Sequence, residues 1–394
     1  MGHVIEAAER NLLSVTLRRL AEDFDGEALS IALGDFGFDD LLAAEPREAV
    51  SSLFAAMGRA GSTSAALQEV LLSPLREVGL ESSADLCVVL PAIGADYVGT
   101  CEQGTADLRG LVIGARPSTA VLLAPVVTDG ETAWVSITGT DLVSMRSVLG
   151  LDPALAMSEI TGTAVPATIV VSGSAATTAW GAVASAGRRA LGYQISGAVG
   201  QMIDLAVAHA RDRVQFGRPI GSFQGVRNRL ADAYVARHVA DAALDLAWEA
   251  DNEYLAAMLA KSLAGRAARI AATHCQQVLA GIGFTAEHPF HRFLARALVL
   301  DTVLGSAAEL PASIGAQLVS AGSIPGWSNC DRRQQVLDGY RACGDSAARW
   351  DRGGGDAGAP NEGQRDGRRN HRRPARDRPH AEHRPLGARH GAHR

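Results

Sequence analysis

The feature that most constrains this chain is the stretch from about Ala176 to Val319, where apolar residues recur at i, i+3, i+4 and i+7 through long runs rich in Ala and Leu. That period fits α-helices with one face turned into a core. Turn-forming residues divide the stretch into candidate helices over 180–211, 223–250, 253–279, 288–304 and 306–319. Four or five such segments joined by short loops can bury their stripes only against one another, as an up-and-down bundle does. Residues from about Ile5 to Leu80 show the same period, in Leu12, Leu13, Val15, Leu17 and Leu20 and again in Val50, Leu53, Phe54 and Met57. The interruption from Gly34 to Leu42 reads as a helix stop and restart, with Gly37 as punctuation and an aspartate as N-cap.

Between the two helical regions the pattern changes to short β-branched and apolar runs: Leu86 to Leu90, Leu111 to Ile113, Ala120 to Leu123, Ala133 to Ile137 and Ala167 to Val171. Gly, Asp and Pro separate them, and Asp129-Gly130 is a strong hairpin signal. The chain is therefore expected to be α+β: an N-terminal helical domain over 1–84, a compact antiparallel β-domain over 85–175, and a C-terminal helical bundle over 176–320. The remaining segment, 321–394, becomes rich in Arg, Gly, His and Pro from Asp351 onward. It holds too little apolar surface to offset its ordering entropy and is expected to be disordered.

A chain of 394 residues that is 47% hydrophobic can build a sizeable core. No basic segment followed by an apolar one opens it, and no charge-free apolar run of about 18 residues occurs, so neither secretion nor membrane spanning is indicated and the cytoplasm is the expected location. Cys87, Cys101, Cys275, Cys330 and Cys343 are scattered without metal-site spacing, and His274, His288 and His291 lack a ligand pattern, so no metal is expected. Nearly all the positive charge is arginine, Lys261 being the single lysine, which compositional bias explains. Because the basic residues concentrate in the tail, the rest is more acidic than the net charge of -6, and nucleic acid is not the expected partner.

The break between the first two bundle segments reads Arg213-Val-Gln-Phe-Gly-Arg-Pro-Ile-Gly-Ser-Phe-Gln224. An arginine fork, an amide, an aromatic ring and a turn-permitting glycine ahead of a helix start suit a phosphate-bearing ligand. The alternative is a helix C-terminal cation followed by exposed side chains. The second motif, Gln277-Val-Leu-Ala-Gly-Ile-Gly-Phe284, puts Gly281 and Gly283 at the end of the long helix from Glu253, where they would terminate it and let a ligand approach the backbone.

These two motifs, about 64 residues apart, resemble those of the flavin-dependent acyl-CoA dehydrogenases, in which Arg-x-Gln-Phe-Gly with a following Phe-Gln, and Gln-x-x-Gly-Gly-x-Gly-Phe, grip the FAD of a neighbouring subunit. The resemblance covers roughly residues 5 to 320 and matches the order of helical, β and helical regions. It implies a FAD shared at a subunit interface, with Arg213, Gln215, Phe216, Gly217 and Gln224 on the diphosphate side and Gln277, Gly281 and Gly283 on the adenosine side. Ala280 replaces the first glycine of the second motif.

The resemblance also exposes losses. The family's catalytic glutamate, in a Tyr-Glu-Gly-Thr setting, falls on Leu304, followed by Gly305 and Ser306. A second family position for the base falls on Gly187, beside Arg188, which matches a common family arginine and is assigned to the substrate side. Neither leucine nor glycine accepts a proton. The flavin-ring motif survives only as an echo from Val89 to Asp96, with Pro91, Gly94 and Asp96 kept and the hydroxyl positions occupied by Val89 and Ala95. The family's later Trp-Ile-Thr has no match after Gly114. Of the nearby acidic residues Glu287 and Glu309, Glu287 is the first suspect for a displaced base, against a helix N-terminal carboxylate role.

The resemblance thus implies a subunit without its own base: the non-catalytic member of an α2β2 acyl-CoA dehydrogenase, paired with a catalytic acyl-CoA dehydrogenase subunit, acting on an acyl-CoA and passing electrons to an acceptor of the electron-transfer flavoprotein type. Actinobacterial heteromers of this kind are similar, and by analogy the acyl group is that of a steroid side chain. Two alternatives stand beside it, a self-sufficient homotetramer with a displaced base and a flavin-free scaffold.

Overall fold

Five helices come first: α1 (Ala7–Asp23), α2 (Glu27–Phe36), α3 (Phe38–Ala44), α4 (Pro46–Ala60) and α5 (Ala66–Glu77). They belong to a computed structural model that describes residues 7–77, 79, 86–114 and 121–322, all within a unit spanning Met1–Cys330. Of the expected disordered tail, Ala321 closes the last described helix and Gly322 caps it, while residues 323–394, with Cys330 and Cys343, and the stretch 115–120 after Gly114 lie outside the described residues. Gly37 does separate α2 from α3, at φ 80, with its N–H returned to Gly34 and Leu33 carbonyls. No aspartate side chain caps α3; Asp39 and Asp40 sit inside its first turn instead, where carboxylates favour the helix dipole.

The strands β1 (Leu86–Val88), β2 (Leu90–Pro91), β3 (Gly99–Glu102), β4 (Thr105–Ile113), β5 (Val121–Thr128), β6 (Glu131–Ile137), β7 (Ser144–Ser147), β8 (Met157–Pro166) and β9 (Thr168–Ser172) form one sheet. Its main order is β7-β8-β4-β3-β5-β6-β9, with β1 added to β5 and β2 to β4. Most pairs are antiparallel, but β1 and β3 each run parallel to β5, so the sheet is mixed and not purely antiparallel as expected. The Asp129-Gly130 turn forms the β5–β6 hairpin, both residues at positive φ (50 and 80), which gives the turn the twist that strands prefer.

The bundle comprises α6 (Ser174–Asp212), α7 (Gln224–Leu246), α8 (Glu253–Leu279), α9 (Phe290–Thr302) and α10 (Leu310–Ala321). From Val183 to Gly200 every residue of α6 is buried, so this helix is the axis around which α4, α5, α7, α8 and α9 pack. Its crossing with α4 is glycine against glycine. A Cβ on Gly197 would lie 2.1 Å from the Ala55 carbonyl oxygen, and one on Gly58 would lie 1.9 Å from that of Gln194. A single core joins the N-terminal helices, part of the sheet and the bundle. It includes one buried ion pair, Arg296 with Asp152, whose arginine also donates to the Ser62 carbonyl at 2.8 Å.

Candidate functional site

At the end of α6 the chain makes a two-stranded ribbon, β10 (Val214–Gln215) and β11 (Arg218–Pro219), whose turn is Phe216-Gly217. Both turn residues have positive φ, 52 and 78. That is ordinary for Gly217 and strained for a phenylalanine. The Phe216 ring is 92% exposed, touching only the edge of Phe223 at 6.1 Å between centroids, while Arg218 stacks on Phe223 at 4.3 Å. Arg213 is exposed and its guanidinium makes no hydrogen bond or ion pair among the described residues. Gln215 and Gln224 are exposed as well, and Phe223, the N-cap of α7, gives its first turn no side-chain acceptor. Burial, with His288 and Arg213 nearby, holds the His209 imidazole below its ordinary pKa.

The second motif lies at the same end of the bundle. α7 and α8 are antiparallel neighbours, and His274 near the end of α8 meets Arg229 at 3.4 Å and Asp232 at 3.9 Å near the start of α7. Gln277 is exposed, Gly281 has open space where a Cβ would stand, and Gly283 is buried against Leu279. The expected helix stop at Gly281 and Gly283 is displaced: α8 ends at Ala280, at φ 52 and ψ -134. This backbone state suits glycine, the residue the resemblance would put there.

A second feature occupies the other end of α8, a cavity of about 600 Å³. It lies between the 91–97 segment, α6, the start of α8, the turn after α9, and α10, and Arg188, Trp180, Tyr254, Met258, Leu304 and Glu309 are among its lining residues. From Met258, on its wall, to Gln277 the helix rises roughly 28 Å. Within one chain the cavity and the Arg213 turn are thus too far apart to share a single compact ligand.

The two positions that the resemblance assigns to a base, Gly187 and Leu304, meet beside this cavity. A Cβ on Gly187 would come within 2.6 Å of the Leu304 side chain, so the leucine fills the space above the glycine. Leu304 sits at φ 57 and Gly305 at φ 96 in a turn pinned by two buried cations. Arg188 Nε donates to the Leu304 carbonyl at 3.0 Å, and Lys261 Nζ donates to the carbonyls of Asp301 at 3.0 Å and Gly305 at 3.2 Å. Asp301 Oδ1 adds a bond from Ala307 N, and Arg269 pairs with its other oxygen. Lys261, which looked like a compositional residue, is fully buried, and burial lowers its pKa to about 8. Its signal in the sequence is a lone lysine on an otherwise apolar helix face.

Of the two suspected carboxylates, Glu309 lines the cavity and Glu287 does not; Glu287 is exposed ahead of α9. Glu309 Oε2 accepts from the Ser306 amide at 3.0 Å and hydroxyl at 2.9 Å, which holds its carboxyl below the usual range. Ser306 and Glu309 form a capping box ahead of α10, and a carboxylate so held is a weak proton acceptor. Pro91, Gly94, Ala95 and Asp96 of the motif echo do line the cavity, whereas Val89 faces away into the sheet core, fully buried.

These positions test the fit of a flavin dinucleotide. The open Arg213 fork, the uncapped start of α7, the exposed strained Phe216 and the free space at Gly281 suit its diphosphate and adenosine half. The ring half does not fit equally: Val89 is in the core and Ala95 offers no hydroxyl.

Residues 180–318 match the family model described as acyl-CoA dehydrogenase, C-terminal domain. The chain is 34% identical over 206 residues to acyl-CoA dehydrogenase FadE34 of Mycobacterium tuberculosis H37Rv, a match over 50% of this chain that spans only 27% of FadE34. Among solved structures, the Tcur3481-Tcur3483 steroid ACAD G363A variant superposes with a TM-score of 0.66 at 19% identity, over 80% of this chain and 99% of that one. No helix among the described residues is long and apolar enough to cross a membrane. Acyl-CoA dehydrogenase IpdE2 of Mycolicibacterium smegmatis is 30% identical over 245 residues, 57% of this chain and 76% of IpdE2, and on that match the chain belongs to the acyl-CoA dehydrogenase family.

Proposed function

We propose that this chain is the non-catalytic subunit of a heteromeric acyl-CoA dehydrogenase, an α2β2 assembly working in the cytoplasm. The observation that carries the reading is the contact of Leu304 with Gly187: an apolar pair fills the place where a base would stand. The opposite end of the bundle keeps an unpaired Arg213 and an exposed Phe216, which suit a ligand completed by another polypeptide. In the assembly Arg213 and the α7 start would hold the diphosphate of the partner's FAD, Phe216 and Gly217 would cover it, and Gln277, Gly281 and Gly283 would border the adenosine. FAD held there would supply a hydride acceptor for the β-carbon of an acyl-CoA thioester, with an acceptor of the electron-transfer flavoprotein type as its electron partner. That the similar Tcur3481-Tcur3483 protein is a steroid ACAD supports a steroid side-chain thioester as substrate, and its paired name supports a second subunit.

Glu309, a carboxylate lining the cavity, favours a second reading, a self-sufficient homotetramer. Co-expression with a candidate catalytic subunit separates the two. A yellow complex with one flavin for every two chains, bleached by Arg213→Ala in this chain, is expected. A yellow, dye-reducing protein from this chain alone would establish the homotetramer. A stable but colourless complex would leave the chain as a scaffold.

A further inference from the structure

The cavity itself has a chemistry that the lost base leaves unexplained. Arg188 is 8% exposed and lines it. Its Nε is bound to the Leu304 carbonyl and its guanidinium lies 4.7 Å from the Tyr254 ring centroid, but its Nη1 is buried with no partner. No carboxylate among the described residues pairs with it. The other buried cations differ. Arg296 has Asp152, Arg189 reaches Glu253 at 3.2 Å, and Lys261 is satisfied by two carbonyls. Two carboxylates, Asp96 and Glu309, line the cavity, and Glu309 is turned back onto Ser306.

A buried guanidinium without an anion is costly, and such groups are normally paired or hydrogen-bonded. The walls around it are mixed: Trp180, Tyr254, Met258, Leu304 and Leu310 give an apolar and aromatic patch, and Asp96, Thr177, Glu309, Ser313 and Gln317 are polar. A cavity of about 600 Å³ with an apolar patch beside one cationic donor has the make-up of a small-molecule site. From this we infer that the cavity binds a compact apolar carboxylic acid as its carboxylate, with Arg188 as the counter-ion, and holds it without turning it over. The inference rests on Arg188 and the cavity alone, and stands whether or not this chain completes a partner's flavin site.

The test uses the full chain, with hexanoate as probe and hexanamide as its uncharged isostere, followed by calorimetry and by the fluorescence of Trp180 on the wall. Saturable hexanoate binding is expected, at least tenfold tighter than hexanamide, and lost in Arg188→Gln. Ser313→Trp, which places a large ring at the rim and leaves Arg188 untouched, is expected to abolish it too, and decides the matter if Arg188→Gln does not fold. Arg213→Ala, remote from the cavity, is expected to bind hexanoate as the wild type does, so a failure of the flavin reading is told apart from a failure here. Equal binding of acid and amide, no saturable binding, or hexanoate binding that survives both cavity variants would overturn the inference.

Discussion

Replacing Lys261 by methionine keeps the length and bulk of a buried side chain while removing its titration, and the structure fixes how stability should then depend on pH. In the folded chain the lysine titrates at about 8, below its ordinary 10.5, because burial penalises the charged form. Between those two values the unfolded chain holds a proton that the folded chain has released. Stability therefore rises with pH across that window, starting near the folded pKa. From pH 7 to pH 9 the gain amounts to about 1 kcal/mol. Above pH 9 other groups intervene with the opposite sign: burial raises the Cys87 and Cys275 thiols to about 12, so their contribution falls as the unfolded thiols ionise. The comparison is accordingly made between pH 7 and pH 9, by urea unfolding of the wild type and Lys261→Met at matched ionic strength. The wild type should gain about 1 kcal/mol relative to the variant over that interval. Parallel pH profiles would refute the reasoning, since they would mean that Lys261 titrates alike in the folded and unfolded chains.

Two further substitutions probe backbone features. Ala280→Gly should stabilise the chain by about 1 kcal/mol, because the positive φ that ends α8 strains alanine and not glycine; a lower melting temperature would contradict this. Gly197→Ala should destabilise by at least about 1–3 kcal/mol, since the new methyl would meet the Ala55 carbonyl at 2.1 Å and a backbone oxygen between packed helices cannot step aside. Unchanged chemical denaturation of Gly197→Ala would show that α4 and α6 are less firmly packed than their glycines imply.

Much of the fold was legible where one local rule acted alone. α8 runs from Glu253 to Leu279 as its period predicts, and Asn252 supplies the N-cap by accepting from Leu255 N at 3.0 Å. α6 starts at Ser174, six residues before the expected Trp180, because its first turns carry Thr177 and Thr178, whose hydroxyls bond back to the Gly173 and Ser174 carbonyls. β3, β7 and β8 escaped notice for a different reason. β7 is exposed at every residue and β8 mixes Ser, Glu, Thr and Gly with its apolar positions, so neither shows the continuous apolar run that marked β5 and β6. The Arg213 turn was readable because its residues are contiguous. The cavity was not, since it joins Arg188, Tyr254 and Leu304, which come from three separate elements, and the bond from Arg188 to Leu304 spans 116 positions. A guanidinium lacking its counter-ion is a property of the folded neighbourhood and leaves no trace in a motif.

The uninterrupted α6 also makes the molecule a lever. The helix carries Arg188 near its middle, crosses α4 at Gly197, and ends one residue before Arg213. From Gly197 to Arg213 the arm is roughly 24 Å long. A tilt of about 5° at that fulcrum would sweep the Phe216 turn through roughly 2 Å, enough to make or break a hydrogen bond. Repacking too slight to notice at the middle of the rod is thereby magnified at its tip.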